Sequence, residues 1–394
     1  MTGICYVAPD VEIPSARGSA THVLELSAAL SETGSEVHVI CSRSKGQPPL
    51  EEIRGVKFHR FYRLPGGLRS GSGGKRPPSL DSSAEGALSR AYRVYLQTVN
   101  ALRIGVRASR LVKKFRLNIV IERETAYGAG AVASLISGRP LLLEIIGPRT
   151  SRLSIRRCFR LLAYSPLMVP EVGRRKAEYV EAAVNTELFR PDNRAGEQIR
   201  SKYALGNNIV IGYVGTFQAV HGIHDLLMAA SMALKQMPAL KFLMVGPRQE
   251  QAVAAVNQHG IANSVIFTGP VPYEEVYCYL NASDILVAPY NVENTDRRVF
   301  GIGSPLKVLE YLAVGKPTIG SSLPQIEAII ENERTGILFP QGDRRELARA
   351  ILRLAGDPVL RETLGRNGYE MVRKKYSWCS FARQIQATLV EGTK

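Results

Sequence analysis

Apolar residues along this chain follow two rhythms that alternate from end to end. Short, nearly unbroken apolar runs take turns with longer stretches in which apolar residues recur every third or fourth position. In the first half the short runs are "GICYVA", "EVHVICS", "GVKFHRFY", "NIVIE", "PLLLEII" and "AEYVEAAV". In the second half they are "NIVIGYVG", "LKFLMVG", "SVIFTG", "DILVAPY", "PTIGSS" and "TGILFP". Each reads as a strand buried on both faces, and the stretches between them read as amphipathic helices. Strands alternating with helices predict parallel sheets covered on both sides. Two such series in tandem predict an α/β chain of two doubly wound, Rossmann-like domains. Periodicity breaks in "VNTELFRPDNRAG", where Pro191, Asp192, Asn193 and Gly196 fall close together. The predicted domains are 1–187 and 188–376. Segment 65–86, rich in Gly, Pro and Ser, predicts a mobile loop of the first domain. Ligands of doubly wound folds sit at the carboxyl ends of the strands, so two facing domains predict a site in a cleft between them.

The stretch "SPLKVLEYLAVGKPTIGSS", residues 304–322, predicts a helix and the strand that follows it. Ser304 suits the N-cap and Pro305 the first helical position. Leu306, Leu309, Leu312 and Ala313 form an apolar face, and Gly315 suits the left-handed residue that ends a helix. Lys307 and Glu310 are three apart and share a different face. Two readings stand. One is a solvated ion pair on an amphipathic helix. The other is an anion site, in which the lysine adds its charge to the free N–H groups of the helix start.

Composition narrows the class. A length of 394 residues accommodates two domains with full cores. No apolar run reaches the length of a membrane span, and the N-terminus enters a strand without a secretory pattern. Five cysteines without CxxC spacing argue against a disulfide framework and against a zinc site. The expectation is a cytoplasmic protein. The net charge of +16 is uneven: residues 1–190 hold 29 Lys and Arg against 16 Asp and Glu, and residues 191–394 hold 22 against 19. A basic first half predicts an anionic partner, such as a membrane surface at the inner face of the membrane, or else simply a basic solubility surface. The basic residues are spread over many elements without a stacking motif, so no nucleic-acid partner is expected.

The loops after strands carry the candidate chemistry. Gly18 and Ser19 stand just before an amphipathic stretch, where backbone N–H groups suit a phosphate, and a plain tight turn explains them equally well. Gly215 and Thr216 end a strand, and His221 and Gly222 open a helix. Gly246 ends another strand, with Arg248 beyond it. Gly269 and Pro270 offer backbone on which a flat ring can rest.

Taken in order, these stretches resemble a GT-B retaining glycosyltransferase of family 4 (glycosyl transferases group 1) over nearly the whole chain. "ARGSATHVLELSAALSETGSEVHVI" resembles the family's glycine loop and first helix, and "VNTELFRP" its interdomain segment. "YVGTF…HGIHDLLMAA", "FLMVGP", "VIFTGPVPYEEVYCYLNASDILVAPY", "SPLKVLEYLAVGKPTIGSS" and "IEAIIENERTGILFPQGD" resemble its donor domain, in the subset with an SPLKxxEYxAxGKP motif. The resemblance implies a nucleotide-sugar donor, UDP- or GDP-linked, a hydroxyl acceptor and no metal or other cofactor. It implies that Glu310 hydrogen-bonds the ribose hydroxyls and that Lys307, with the helix start Ser304-Pro305-Leu306, faces the diphosphate. Gly215, Thr216, His221 and Gly246 would lie around it. The backbone of Gly269, Pro270 and Val271 would hold the base, and Gly18 and Ser19 would close over the phosphates. The last helix, 377–394, would pack back on the first domain. Glu122, Arg123 and Glu124 end a first-domain strand where the family's acceptor-side histidine is expected. Arg123 and Glu124 are the candidates to orient the acceptor, against a structural ion pair.

Three features depart from the family pattern. Its first motif glutamate falls at Ile302, its basic pair at Thr216 and His221, and its double glycine has Arg17 before Gly18. The charge missing from the basic pair is left to Lys307. The resemblance implies retention; with no carboxylate pair for a double displacement, a front-face route fits better. The acceptor expected from the basic first half is lipid-linked, in cell-envelope polysaccharide or glycolipid assembly. The alternatives are a small secondary metabolite as acceptor, a nucleotide-sugar 2-epimerase, or a non-catalytic homologue that binds the nucleotide sugar.

Overall fold

The computed structural model describes residues 2–14, 18–62, 83–124, 128–146, 150–164, 166–247, 249–293 and 305–393. The chain divides into two compact units, Met1–Val180 with Cys379–Lys394, and Glu181–Trp378. The division falls ahead of the predicted break at 187/188. The reason is local: the Glu181 carboxylate pairs with Lys375 at 2.5 Å, and the Val184 N–H donates to the Tyr376 carbonyl at 2.8 Å.

In the first unit β1 (Gly3–Glu12) leads to α1 (Gly18–Glu32), β2 (Glu36–Ser42), β3 (Leu50–Ile53) and β4 (Val56–Phe61). Then come α2 (Ser83–Lys114), β5 (Ile119–Arg123), α3 (Ala129–Ser137), β6 (Leu141–Ile145), α4 (Arg152–Arg157), β7 (Arg160–Ala163) and β8 (Ala177–Tyr179). The sheet runs β3-β4-β2-β1-β5-β6-β7-β8 and is parallel throughout except for the β3–β4 hairpin. The apolar pattern does not announce β3, whose centre is Glu51-Glu52, or β7, which is four residues long. The run predicted as a strand over 177–184 pairs only as far as Tyr179, because the chain then leaves for the second unit. The predicted loop 65–86 is shorter at its far end, since 83–86 already belong to α2; residues 65–82 lie outside the described residues.

The second unit holds α5 (Asn193–Lys202), β9 (Val210–Val214), α6 (Ile223–Gln236), β10 (Lys241–Val245), α7 (Glu250–Gln258), β11 (Val265–Gly269), α8 (Val276–Ala282) and β12 (Ile285–Ala288). It continues with α9 (Leu306–Ala313), β13 (Thr318–Ser322), α10 (Pro324–Glu327), β14 (Ile337–Pro340), α11 (Arg344–Gly356) and α12 (Pro358–Lys375). Its six strands, all parallel, run β11-β10-β9-β12-β13-β14. Alternation along the strands serves both faces. Ile211, Tyr213, Phe242 and Met244 pack with Leu226, Leu347 and Ile351, while Val210, Leu243 and Val245 pack with Tyr279 and Ala282. This is why the strands read as continuous apolar runs. Strand order reverses direction at β9, with β10 on one side and β12 on the other. The crevice at such a reversal is where doubly wound sheets take their ligands.

The chain returns to the first unit through α13 (Trp378–Thr393). Phe381, Ala382, Ile385 and Leu389 are buried there. Gln386 donates to the Thr33 carbonyl at 3.1 Å and Thr388 to Glu178 at 3.0 Å.

Candidate functional site

Around the reversal point of the second unit three strand ends come together. The Gly215 N–H donates to the Val245 carbonyl at 2.9 Å, and the Gly246 N–H to the Gly269 carbonyl at 3.1 Å. Gly246 has φ 151°, and a Cβ there would stand 2.0 Å from the Gly215 carbonyl oxygen. Only glycine lets the two turns approach this closely. Pro270 is exposed and Val271 half-buried beside them.

Helix α9 enters the same crevice. Pro305 is its N-cap, not its first helical residue, and the helix starts at Leu306. Ser304 and Ile302 lie outside the described residues, as do Arg17 and Arg248. The helix stops where predicted: Gly315 has φ 71° and its N–H donates to the Leu312 carbonyl at 3.0 Å. Val308, Leu309, Tyr311 and Leu312 are buried, which seats the helix against the sheet. Tyr311 fixes the approach. Its hydroxyl accepts from the Val214 N–H at 2.8 Å and donates to the Val214 carbonyl at 3.1 Å.

Lys307 and Glu310 form no ion pair with each other. Lys307 reaches to the end of β9, where Nζ donates to the Tyr213 hydroxyl at 3.1 Å. It lies 4.5 Å from the centre of the Tyr213 ring and 4.8 Å from that of Tyr290. A Cβ on Gly215 would stand 2.7 Å from this ammonium. Glu310 accepts from the Tyr273 hydroxyl at 3.2 Å, and Tyr273 rests edge-on against the buried ring of Phe189, in the "VNTELFRP" segment. Burial pulls the Lys307 pKa down to about 7, with Glu310 opposing it. Burial pushes the Glu310 carboxyl up to about 7, against the Tyr273 hydrogen bond and the Lys307 charge. Both groups therefore stand near half-ionisation at neutral pH, so an anionic ligand would find an easily charged lysine and a readily ionised carboxylate.

Thr216 and His221 are tied to each other. His221 Nδ1 donates to the Thr216 carbonyl at 2.5 Å and lies 3.0 Å from its hydroxyl. The His221 ring meets Tyr290 edge-on. A cavity of about 550 Å³ opens beside this loop, lined among others by Phe217, Gln218, Asp225, Gln249 and Arg344; neither Lys307 nor Glu310 lines it. Among the described residues no group of His, Cys, Asp or Glu is arranged to hold a metal ion.

In the first unit Gly18 and Ser19 begin α1. Arg123 ends β5, and its buried Nε has no hydrogen-bond partner. Glu124 accepts from the Ile146 N–H at 2.7 Å. Glu122 is buried and bound by the Ala131 N–H at 3.0 Å and the Ser154 hydroxyl at 2.8 Å. Beside Arg123 lies a network that sequence patterning missed. Glu144 accepts from Tyr6 at 2.6 Å and Tyr164 at 3.1 Å, and pairs with His22 at 2.5 Å. Burial alone would raise the Glu144 carboxyl; His22, Arg123 and Tyr6 outweigh it and hold the pKa at about 2. The only sequence signal for these groups is polar residues set in apolar runs: Tyr6 in "GICYVA", Glu144 in "PLLLEII" and Tyr213 in "NIVIGYVG".

Comparison with known proteins bears on the fold and on the second unit. Residues 208–357 match the family described as Glycosyl transferases group 1. The chain is 33% identical over 203 residues to the putative teichuronic acid biosynthesis glycosyltransferase TuaH of Bacillus subtilis, covering 49% of this chain and 48% of TuaH. It is 24% identical over 210 residues to a GDP-mannose-dependent alpha-(1-6)-phosphatidylinositol monomannoside mannosyltransferase of Mycobacterium tuberculosis, covering 53% and 54% of the two chains. The match thus spans about half the length of these relatives. The structure of Anabaena HepE in complex with UDP and glucose superposes with a TM-score of 0.72 at 16% identity, over 99% of this chain and 100% of HepE. The chain therefore has the two-domain GT-B fold, and its second unit carries a glycosyl transferases group 1 domain.

Proposed function

We propose that this chain is a retaining glycosyltransferase that moves a sugar from a nucleoside diphosphate to a hydroxyl acceptor in cell-envelope polysaccharide or glycolipid assembly. The observation that carries the reading is the placement of Lys307 and Glu310. Both are half-buried at the strand reversal of a group 1 domain, each held by a tyrosine. Glu310, steadied by Tyr273, suits a pair of ribose hydroxyls. Lys307, lying against Gly215, supplies the cation that Thr216 and His221 do not. In transfer, the bond from the anomeric carbon to the β-phosphate oxygen breaks and one to the acceptor oxygen forms on the same face. The acceptor proton passes to the departing phosphate. Negative charge grows on that phosphate, and a preset lysine and helix start stabilise it without reorganising. Arg123 and Glu124 are proposed to orient the acceptor. The acceptor class is supported by the names of TuaH and the mannosyltransferase, and by the basic first half.

Isothermal titration with UDP, GDP and dTDP, with and without magnesium, tests the donor half. One nucleotide is expected to bind without the metal, with Glu310→Ala weakening it about tenfold or more. Binding of none would overturn the donor-site reading; binding with no sugar transfer to any hydroxyl acceptor would favour the non-catalytic one.

A further inference from the structure

Helix α2 presents an apolar stripe to solvent. Tyr92 and Tyr95 are each 63% exposed and Leu102 is 50% exposed. With the half-buried Val99 and Val106 they recur at spacings of three and four, and so lie along one line of the helix. The opposite face is spent on the core through Leu96, Ala101, Ile104, Ala108 and Val112. The stripe is flanked by exposed Arg103, Arg107, Arg110, Lys113 and Lys114. From Gly86 to Ile121 the sequence holds no Asp or Glu.

We infer that the outward face of α2 docks this protein on an anionic lipid bilayer, lying in the headgroup plane with Tyr92, Tyr95 and Leu102 toward the acyl boundary. The chemistry fits on both counts: tyrosine and leucine suit the interface, and the cations suit anionic headgroups. A bare 3–4 apolar stripe also resembles a coiled-coil seam. Pairing with a second copy of α2, however, would set arginines and lysines against their like, with no acid from Gly86 onward to offset them. No helix among the described residues is long and apolar enough to cross a membrane, so the attachment is peripheral. The inference does not depend on the transfer reaction, and its failure would leave the donor site untouched.

The test is co-sedimentation of the full chain with phosphatidylglycerol–phosphatidylcholine vesicles and with phosphatidylcholine alone, at low and high salt. Binding is expected only to the anionic vesicles, weakening with salt. Arg103→Gln with Arg110→Gln should cut it at least about fivefold at low salt. Tyr95→Ser with Leu102→Ser should weaken it at every salt concentration. A single Tyr95→Trp, read against the buried Trp378, should show a blue shift on adding anionic vesicles. Three results would overturn the inference: no anionic binding, binding indifferent to these substitutions, or a self-associated species that Tyr95→Ser with Leu102→Ser dissolves in the absence of lipid. Thermal melts of the same variants followed by circular dichroism should match wild type, which separates loss of docking from loss of fold.

Discussion

Two residues three places apart, Lys307 and Glu310, show how far a single position can be read from its neighbours. That both are candidates for an anion site, beside the alternative of a solvated ion pair, is legible from charge placed at the start of an apolar helix. Their partners are not. A helical-wheel argument pairs them with each other, whereas tertiary packing sends one to Tyr213 and the other to Tyr273. Separated in this way, each loses water without gaining an ion pair, and this moves both pKa values to about 7. The consequence is measurable. A diphosphate favours the protonated lysine, and the free site loses that proton as pH rises past about 7. Above about pH 8, where the Glu310 carboxyl is ionised, affinity for whichever nucleotide binds is therefore expected to fall by up to about tenfold per pH unit, with a proton taken up on binding. Titrations at about pH 8 and above, in buffers of different ionisation enthalpy, check this. Lys307→Arg, always charged, should flatten the profile; a flat wild-type profile would contradict the reading.

At the scale of elements, alternation of strands and helices was legible almost throughout, because parallel strands buried on both faces leave continuous apolar runs. The exceptions share a cause. β3 and β7 are short and take their stability from neighbours already in the sheet, a contribution absent from their own residues. The turns after β9 and β10 make the sharpest prediction here. Gly246→Ala would drive a methyl into the Gly215 carbonyl, so a loss of about 2–4 kcal/mol and of nucleotide binding is expected. Gly260 also has a left-handed φ, 65°, but nothing stands within 4 Å of where an added methyl would lie, so Gly260→Ala should cost about 1 kcal/mol and leave binding intact. Thermal melts followed by circular dichroism, paired with titration of the nucleotide that binds wild type, distinguish the two.

For the whole molecule, the chain leaves the first unit after Val180 and returns to it at Cys379. Ile385 is buried in the first unit, so Ile385→Ala is expected to cost about 2–5 kcal/mol there. Hydrogen exchange should show lost protection in α1 and β2, with β9 and β10 unchanged; an even loss across both units would contradict the division. The amino-acid sequence by itself determined the α/β class, the two doubly wound series and the helix carrying Lys307 and Glu310, because each follows from the spacing of residues close in the chain. It also held the acid-free run that makes α2 basic. Only the tertiary structure decided where the first unit ends, that α2 keeps an apolar stripe outside, and that Tyr213 and Tyr290 meet Lys307 while Tyr273 meets Glu310. Those outcomes depend on contacts between residues tens to hundreds of places apart, which periodicity along the chain does not encode.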